Sequence, residues 1–265
     1  MGQQPLGEWS TGGEDPRPKR CLSFTIRGPW GHFRRIEGNI VKQTYRIVPR
    51  TTVAGLLAAV VGIERDGYYD LFTPDESAVA IEPVREIRTI NMPMNTLSTA
   101  SGNLQSLNAQ GKISVKLPDP TTLRQQHNYE VLVEPAYRID VSLADKWWYT
   151  KLQETLEAGK SHYIPSLGLS EHLADIEYHG EFDVDAGPQD ESVAVDSAVP
   201  NAVDDVVLDG GTRCQIEESP AFMQADTSGR TTTGFTTYTY NPDAEPLTVT
   251  DIETASVDSR TVVFV

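Results

Sequence analysis

Arginine and aromatic residues are interleaved near the start of the chain, in Phe24–Ile36 and again from Tyr45. Between residues 27 and 50, six cations stand against a single anion, Glu37. Cations bind phosphates and flat rings stack on unpaired bases, so this pattern is typical of single-stranded nucleic-acid binding. The same residues could instead form a solvated face beside ordinary core aromatics. The local pattern alone leaves both interpretations open.

Other chemistries find little support in the sequence. The two cysteines, Cys21 and Cys214, are far apart, which excludes a disulfide framework and a thiolate zinc site. The five histidines lack the spacing of a metal site, and no phosphate-binding glycine loop or nucleophile elbow is present. Acidic residues are so common that any pair of them is expected by chance. We therefore expect no metal and no cofactor.

Local patterns predict the elements that would position the basic segment. Cys21–Arg27 alternates like a strand and is followed by a turn at Gly28–Gly31. Arg50, Thr51 and Thr52 precede an apolar stretch, Val53–Val61, and predict a helix start with a capping threonine. Exposed amides at such a start could hold a phosphate.

Further along the chain, short strands are predicted at Ala78–Ile81 and Arg85–Met94. Residues 95–128 are polar, rich in Asn, Ser, Thr and Gln together with some Gly and Pro, and have few large apolar groups. A run of this length inside a domain is usually functional or mobile. A strand over Tyr129–Val141, interrupted at Pro135, follows it. A helix from Asp145 to Gly159 comes next, with Trp148, Leu152 and Leu156 at core spacing.

Charge is distributed unevenly. The net charge is -16, yet residues 171–265 alone hold 20 acidic and 3 basic side chains. We interpret this as adaptation to a salt-rich cytoplasm, with a disordered acidic tail as the alternative. Alternation of Thr, Val and Tyr in 231–240 and 247–265 favours strands, whereas 183–211 is expected to be an acidic surface excursion. No apolar run reaches the roughly 18–20 residues that span a bilayer, so we expect no membrane contact.

The order of elements predicts an α+β fold. It fits a ferredoxin-like or RRM-type antiparallel sheet with helices on one face and a projecting hairpin. We expect a disordered leader over 1–19, an RNA-binding domain over 20–180 with an insertion at about 95–128, and an acidic, strand-rich region over 181–265.

Three segments together resemble a known family. They are the turn beginning at Arg27, the helix entry from Tyr45 through Gly55, and the loop from Tyr163 to His172. In this order, with the insertion between them, they resemble the Cas-five family of CRISPR-associated proteins in its type I-B form, a subunit of Cascade complexes. The resemblance covers roughly residues 20–180.

The resemblance implies a repeat-associated (RAMP) RRM-like fold with a thumb hairpin, and a subunit that grips the repeat-derived 5′ handle of the CRISPR RNA. Its partners would be the backbone subunit, the large subunit and the repeat endonuclease, with target DNA reached through the complex. The residues that the resemblance places at RNA are Arg27, Trp30, His32, Arg34, Arg35, Tyr45, Arg50, Thr51, Thr52, Lys112, Lys116 and Gly168.

The same resemblance leaves an enzymatic alternative open. Some relatives in type I-C systems cut repeat RNA without a metal, through a tyrosine, a lysine and a histidine. Tyr45 and Lys116 could fill two of these roles, but Leu117 follows the lysine and the nearest downstream histidine is His127. We therefore expect a non-catalytic subunit, with a metal-independent endoribonuclease as the alternative.

Overall fold

A computed structural model of the chain shows a sheet-rich fold. It describes residues 18–35, 41–97, 124–208, 210–227 and 229–265. In these residues the α-helices are α1 (Arg50–Val61) and α2 (Lys146–Glu157), and a 3-10 helix covers Tyr69–Phe72. The strands are β1 (Arg20–Arg27), β2 (Trp30–Gly31), β3 (Phe33–Arg34), β4 (Val41–Lys42), β5 (Thr44–Tyr45), β6 (Ser77–Pro83), β7 (Thr89–Leu97), β8 (Arg124–Val133), β9 (Ala136–Leu143), β10 (Asp175–Ala186), β11 (Val193–Val195), β12 (Val199–Pro200), β13 (Val206–Val207), β14 (Gln215–Asp226), β15 (Gly229–Tyr240), β16 (Leu247–Val249), β17 (Ala255–Val257) and β18 (Arg260–Val262).

An antiparallel sheet of six strands forms the centre, in the order β18-β17-β10-β1-β9-β6. β1 forms where the alternating sequence predicted a strand, but both of its faces are covered, since Cys21 to Ile26 are all buried. Its Leu22, Phe24 and Ile26 lie in one cluster with apolar residues of α1 and α2. The predicted α+β class with an antiparallel sheet is therefore confirmed. The ferredoxin-like topology stays a prediction.

A second, smaller sheet carries a long hairpin. β7 pairs with β8 from Thr89 opposite Leu132 to Leu97 opposite Arg124. The predicted break at Pro135 is confirmed, because β8 ends at Val133 and β9 joins the central sheet. Residues 98–123, which include Lys112 and Lys116, lie outside the described part, so the thumb hairpin stays a prediction.

The two helices begin differently. Asp145 caps α2 as predicted, since its Oδ1 accepts hydrogen bonds from the Trp147 and Trp148 amides at 2.9 and 3.0 Å. At α1 the prediction of a capping threonine is wrong. Pro49 occupies the cap position with no side-chain cap, and the helix begins at Arg50, whose side chain is buried.

The C-terminal region is part of the same folded body. The expectation of a surface excursion over 183–211 is wrong, because Val195 and Val199 are buried against Leu247 and Val249. The predicted strands in 231–240 and 247–265 are confirmed as β15 to β18. β10 runs through position 180, and β17 and β18 complete the central sheet beside it.

Candidate nucleic-acid interface

The three segments singled out in the sequence meet in space. The His32 amide donates to the Leu167 carbonyl at 3.0 Å, which joins the turn after β1 to the loop before β10. Gly168 lies so close that a Cβ there would be 2.0 Å from the His32 carbonyl oxygen. β3 pairs with β5, which places Phe33 opposite Tyr45 at the entry to α1.

Two arginines of this region reach solvent beside the β3–β5 pair. Arg34 is exposed. The Arg35 guanidinium lies 5.3 Å from the centroid of the buried Tyr45 ring and 3.7 Å from a carboxylate oxygen of Glu217. Arg27, at the end of β1, is half-exposed and pairs with Glu177 at 3.0 Å. These cations can therefore contact an anion at the surface, although Arg27 and Arg35 each have an acidic neighbour.

Arg46 was counted among the basic residues but not among the expected site residues. Its guanidinium makes two hydrogen bonds to the Glu130 carboxylate, at 2.5 and 3.1 Å. Its amide, with that of Ile47, donates to the carboxylate of Glu217, at 2.7 and 3.2 Å. Burial raises the pKa of Glu217 above its usual range, against the opposing effect of these amides. Sequence patterns could not reveal this link, because Glu217 lies 171 residues from Arg46.

The structure places Arg50 in the core and not at an anion site. Its guanidinium donates to the carbonyls of Phe72, Ser77 and Val265 and stacks on the ring of Phe222 at 4.4 Å. Burial lowers its pKa to about 10. This guanidinium is therefore not exposed to a phosphate, which corrects the expectation from the sequence.

The two threonines after Arg50 are half-buried at the start of α1. The Thr51 hydroxyl donates to the Pro220 carbonyl at 3.4 Å, and the Thr52 amide donates to the Pro49 carbonyl at 2.8 Å. Both residues therefore already have partners within the chain.

His32 is 1% exposed and lies beneath the surface. Its Nδ1 is 2.8 Å from the Glu130 carbonyl, which can only accept, so Nδ1 carries the proton. Burial lowers the pKa of this imidazole. Its ring packs edge-on against Tyr129 at 5.1 Å. His32 can therefore support the surface, whereas the neighbouring Trp30 is half-buried and closer to solvent.

The alternative catalytic residues are only partly placed. Tyr45 is 7% exposed beside Arg35, and His127 is half-exposed on β8 beside Tyr129. Lys116 lies outside the described residues. Among the residues described, no group of three or more His, Cys, Asp or Glu side chains could hold a metal ion. None of the described helices is long and apolar enough to cross a membrane.

Comparison with solved structures supports the fold. The chain is similar to a chain of a structure described as a CRISPR RNA-guided surveillance complex, with 13% identity, coverage of 87% of this chain and 91% of that one, and a TM-score of 0.51. It is also similar to a CRISPR protein from Archaeoglobus fulgidus, with 16% identity, coverage of 92% and 98%, and a TM-score of 0.50. No curated protein sequence matches the chain.

A family model provides evidence at the level of sequence. The model described as CRISPR-associated protein (Cas_Cas5) matches residues 21–213. That span contains all three segments that meet around Gly168, as well as β8 and the start of α1. The chain therefore belongs to the Cas5 family of CRISPR-associated proteins.

Proposed function

We propose that this chain is the RNA-binding subunit of a type I-B Cascade complex, where it grips the repeat-derived 5′ handle of the CRISPR RNA. The observation that carries the proposal is the convergence of the turn, the helix entry and the Gly168 loop around the exposed Arg34. Membership of the family supports it. Arg27, Arg34 and Arg35 would contact phosphates, with Trp30 beside them.

The proposed partners follow from this role. The chain would hold the guide against the backbone subunit, the large subunit and the repeat endonuclease, and would meet target DNA through the complex. It would thereby maintain the CRISPR RNA and support interference in antiviral defence.

The charge distribution is typical of a protein that works in the salt-rich cytoplasm of a salt-adapted host. In molar salt the Debye length is about 3 Å, so long-range attraction to RNA is weak. Binding then depends on short contacts and stacking, which a local cluster of arginine and aromatic residues can make within an acidic protein.

The test is to purify the tagged chain from its own host at native salt and to sequence the RNA that accompanies it. We expect short RNAs that share one repeat-derived 5′ end. Arg34→Gln with Arg35→Gln should release most of this RNA, because two cations at the surface are lost. The matched control is Arg65→Gln with Arg213→Gln, which removes the same charge from exposed positions elsewhere.

Two results would contradict the proposal. If the folded wild-type chain retains no enriched RNA but still copurifies with its neighbours after RNase treatment, it is a docking subunit. If both double variants retain RNA equally well, the arginines do not form the binding surface.

A repeat endoribonuclease is the second candidate. The observation in its favour is that the ring of Tyr45, the expected base, lies beside a cation, Arg35, where the three segments meet. Labelled repeat RNA incubated with the purified chain in chelator and high salt should give one sharp product if the chain cuts, and Tyr45→Phe should abolish it. We propose the non-catalytic role and expect no product.

A further inference from the structure

One face of the β7–β8 hairpin carries partly exposed rings. The register places Met92 opposite Tyr129 and Met94 opposite His127, so these four side chains share a face. All four are half-exposed. The rings of His127 and Tyr129 are 6.4 Å apart and steeply inclined to each other. This face is therefore aromatic and only partly covered by the chain.

The Tyr129 ring has a firm support behind it. The buried His32 ring packs edge-on against it, and His32 is fixed by its Nδ1 bond to the Glu130 carbonyl and by its amide bond to Leu167. Gly168 closes over the His32 carbonyl. Ordering a side chain in advance reduces the entropy lost when it binds a ligand. Tyr129 is thus presented as a rigid ring that continues from the candidate interface.

The electrostatic setting favours an anionic ligand. β4 runs parallel to β8 and places Lys42 directly beside Tyr129, on the same face. The nearest acidic residue in β8, Glu130, points to the opposite face, where it binds Arg46. A ring with an adjacent cation suits a nucleotide, whose base stacks while its phosphate meets the ammonium group.

We propose that the Tyr129 ring is a base-stacking platform for single-stranded RNA, with the inclined ring of His127 beside it and Lys42 at the phosphate of the stacked nucleotide. This inference rests on the proposed function and extends the RNA path from the arginines onto the hairpin. His32 acts as a positioning residue beneath the platform. Methionines beside the rings adapt to bases of different shape, so the platform tolerates different bases.

Affinity measurements with single-stranded RNA of the host repeat sequence test the platform. Stacking on an aromatic side chain is worth about 1–3 kcal/mol per base, so Tyr129→Ala should weaken binding by about 5- to 150-fold. Tyr129→Phe keeps the ring and should bind within about twofold of wild type. Tyr129→Leu keeps an apolar contact to His32 but has no π-face, so it should resemble Tyr129→Ala. Trp147→Ala, at a ring 62% exposed on α2, is the matched control and should have no effect.

Single abasic positions in the RNA identify the stacked base. Removal of the stacked base should weaken wild-type binding about as much as Tyr129→Ala weakens binding of the intact RNA. On the RNA that lacks this base, Tyr129→Ala should cause no further weakening. The effect of Tyr129→Ala should persist in high salt. Loss of the same affinity at every abasic position, or wild-type affinity of both Tyr129→Ala and Tyr129→Leu, would overturn the platform. Failure of the folded wild-type chain to bind any repeat RNA would instead refute the proposed function.

Discussion

At the scale of single residues, the arginines are held by glutamates from distant strands. Glu130 of β8 binds the Arg46 guanidinium, and Glu217 of β14 accepts the Arg46 and Ile47 amides and lies near Arg35. Each bond fixes a long side chain or a backbone turn beside the candidate interface. The acidic region thus orders the basic segment as well as lowering the net charge.

Glu217 should give the stability of the chain a recognisable pH dependence. Because burial raises the pKa of Glu217, the folded state binds its proton more readily than the unfolded state. The free energy of unfolding should therefore fall as the pH rises from the unfolded pKa through the raised one, by at most about 1.4 kcal/mol per pH unit for this group. Glu217→Gln keeps an oxygen for the two amides and should flatten this slope.

Urea unfolding at a series of pH values measures the effect. Burial also raises the pKa of Glu82, so a smaller slope should remain in Glu217→Gln. Glu218→Gln, at the exposed neighbouring position, is the control and should keep the wild-type profile. If Glu217→Gln has the same dependence of the free energy of unfolding on pH as wild type, the Glu217 carboxylate does not cause the slope.

Two glycines separate the cost of a left-handed backbone conformation from the cost of a steric clash. Gly168 and Gly159 both have positive φ, at 90° and 61°, but an added Cβ meets the His32 carbonyl at Gly168 and nothing within 4 Å at Gly159. Gly159→Ala should cost about 1 kcal/mol from conformation alone. Gly168→Ala should cost clearly more in thermal unfolding and should also weaken RNA binding, because the loop must move away from His32. Equal costs at the two positions would contradict the tight contact.

At the scale of elements, α2 depends on its first residue. Asp145 accepts two backbone amides at the helix start. Asp145→Ala should lower the free energy of unfolding by about 1 kcal/mol, whereas Asp145→Asn keeps a capping oxygen and should lose much less. Urea unfolding measures both. Similar losses in the two variants would mean that the charge, and not the hydrogen bonds, stabilises the helix.

The elements that could be predicted from the sequence are those with local signals. β1 follows from alternation, α2 from Asp145 and Gly159, and the break between β8 and β9 from Pro135. The strands within 183–211 could not be predicted, because β11 and β13 pair with β16, and Val195 and Val199 are buried against Leu247 and Val249, far along the chain. Acidic composition suggested a surface excursion, whereas pairing partners decided the structure.

The candidate site shows the same limit. The resemblance to a family singled out three segments, and the structure brings them together around His32 and Gly168, with Arg34 exposed beside them. Burial of Arg50 and His32 could not be predicted, because the carbonyls and rings that surround them come from distant elements. When an arginine or a histidine stands beside aromatic residues, the local sequence is the same whether its side chain faces the core or the solvent.

At the scale of the whole molecule, the C-terminal strands complete the N-terminal sheet. Val265 and Val79 exchange two backbone hydrogen bonds, of 2.9 and 3.0 Å, and the Val265 carbonyl also accepts from Arg50. Arg260 of β18 reaches across to β9 and β6. The chain therefore closes on itself, and the acidic region shares its core with the basic one.

Arg260 is the ionic centre of this closure. Its guanidinium lies 2.7 and 2.9 Å from the oxygens of Asp140, which is 1% exposed, and 2.8 Å from Glu82. Arg260→Met would leave both acids without their cation and should lower the free energy of unfolding by about 3–5 kcal/mol. The exposed pair of Arg88 and Glu134 is the matched control, and Arg88→Met should cost at most about 1 kcal/mol.

A double-mutant cycle separates the buried pair from the packing around it. Asp140→Asn in the Arg260→Met background removes one of the acids left unpaired, so it should recover part of the loss and give a clear coupling energy. Guanidinium unfolding would mask charge effects, so urea is the denaturant of choice. If the two single losses simply add, Arg260 stabilises the chain through packing, and the closure of the sheet does not depend on this ion pair.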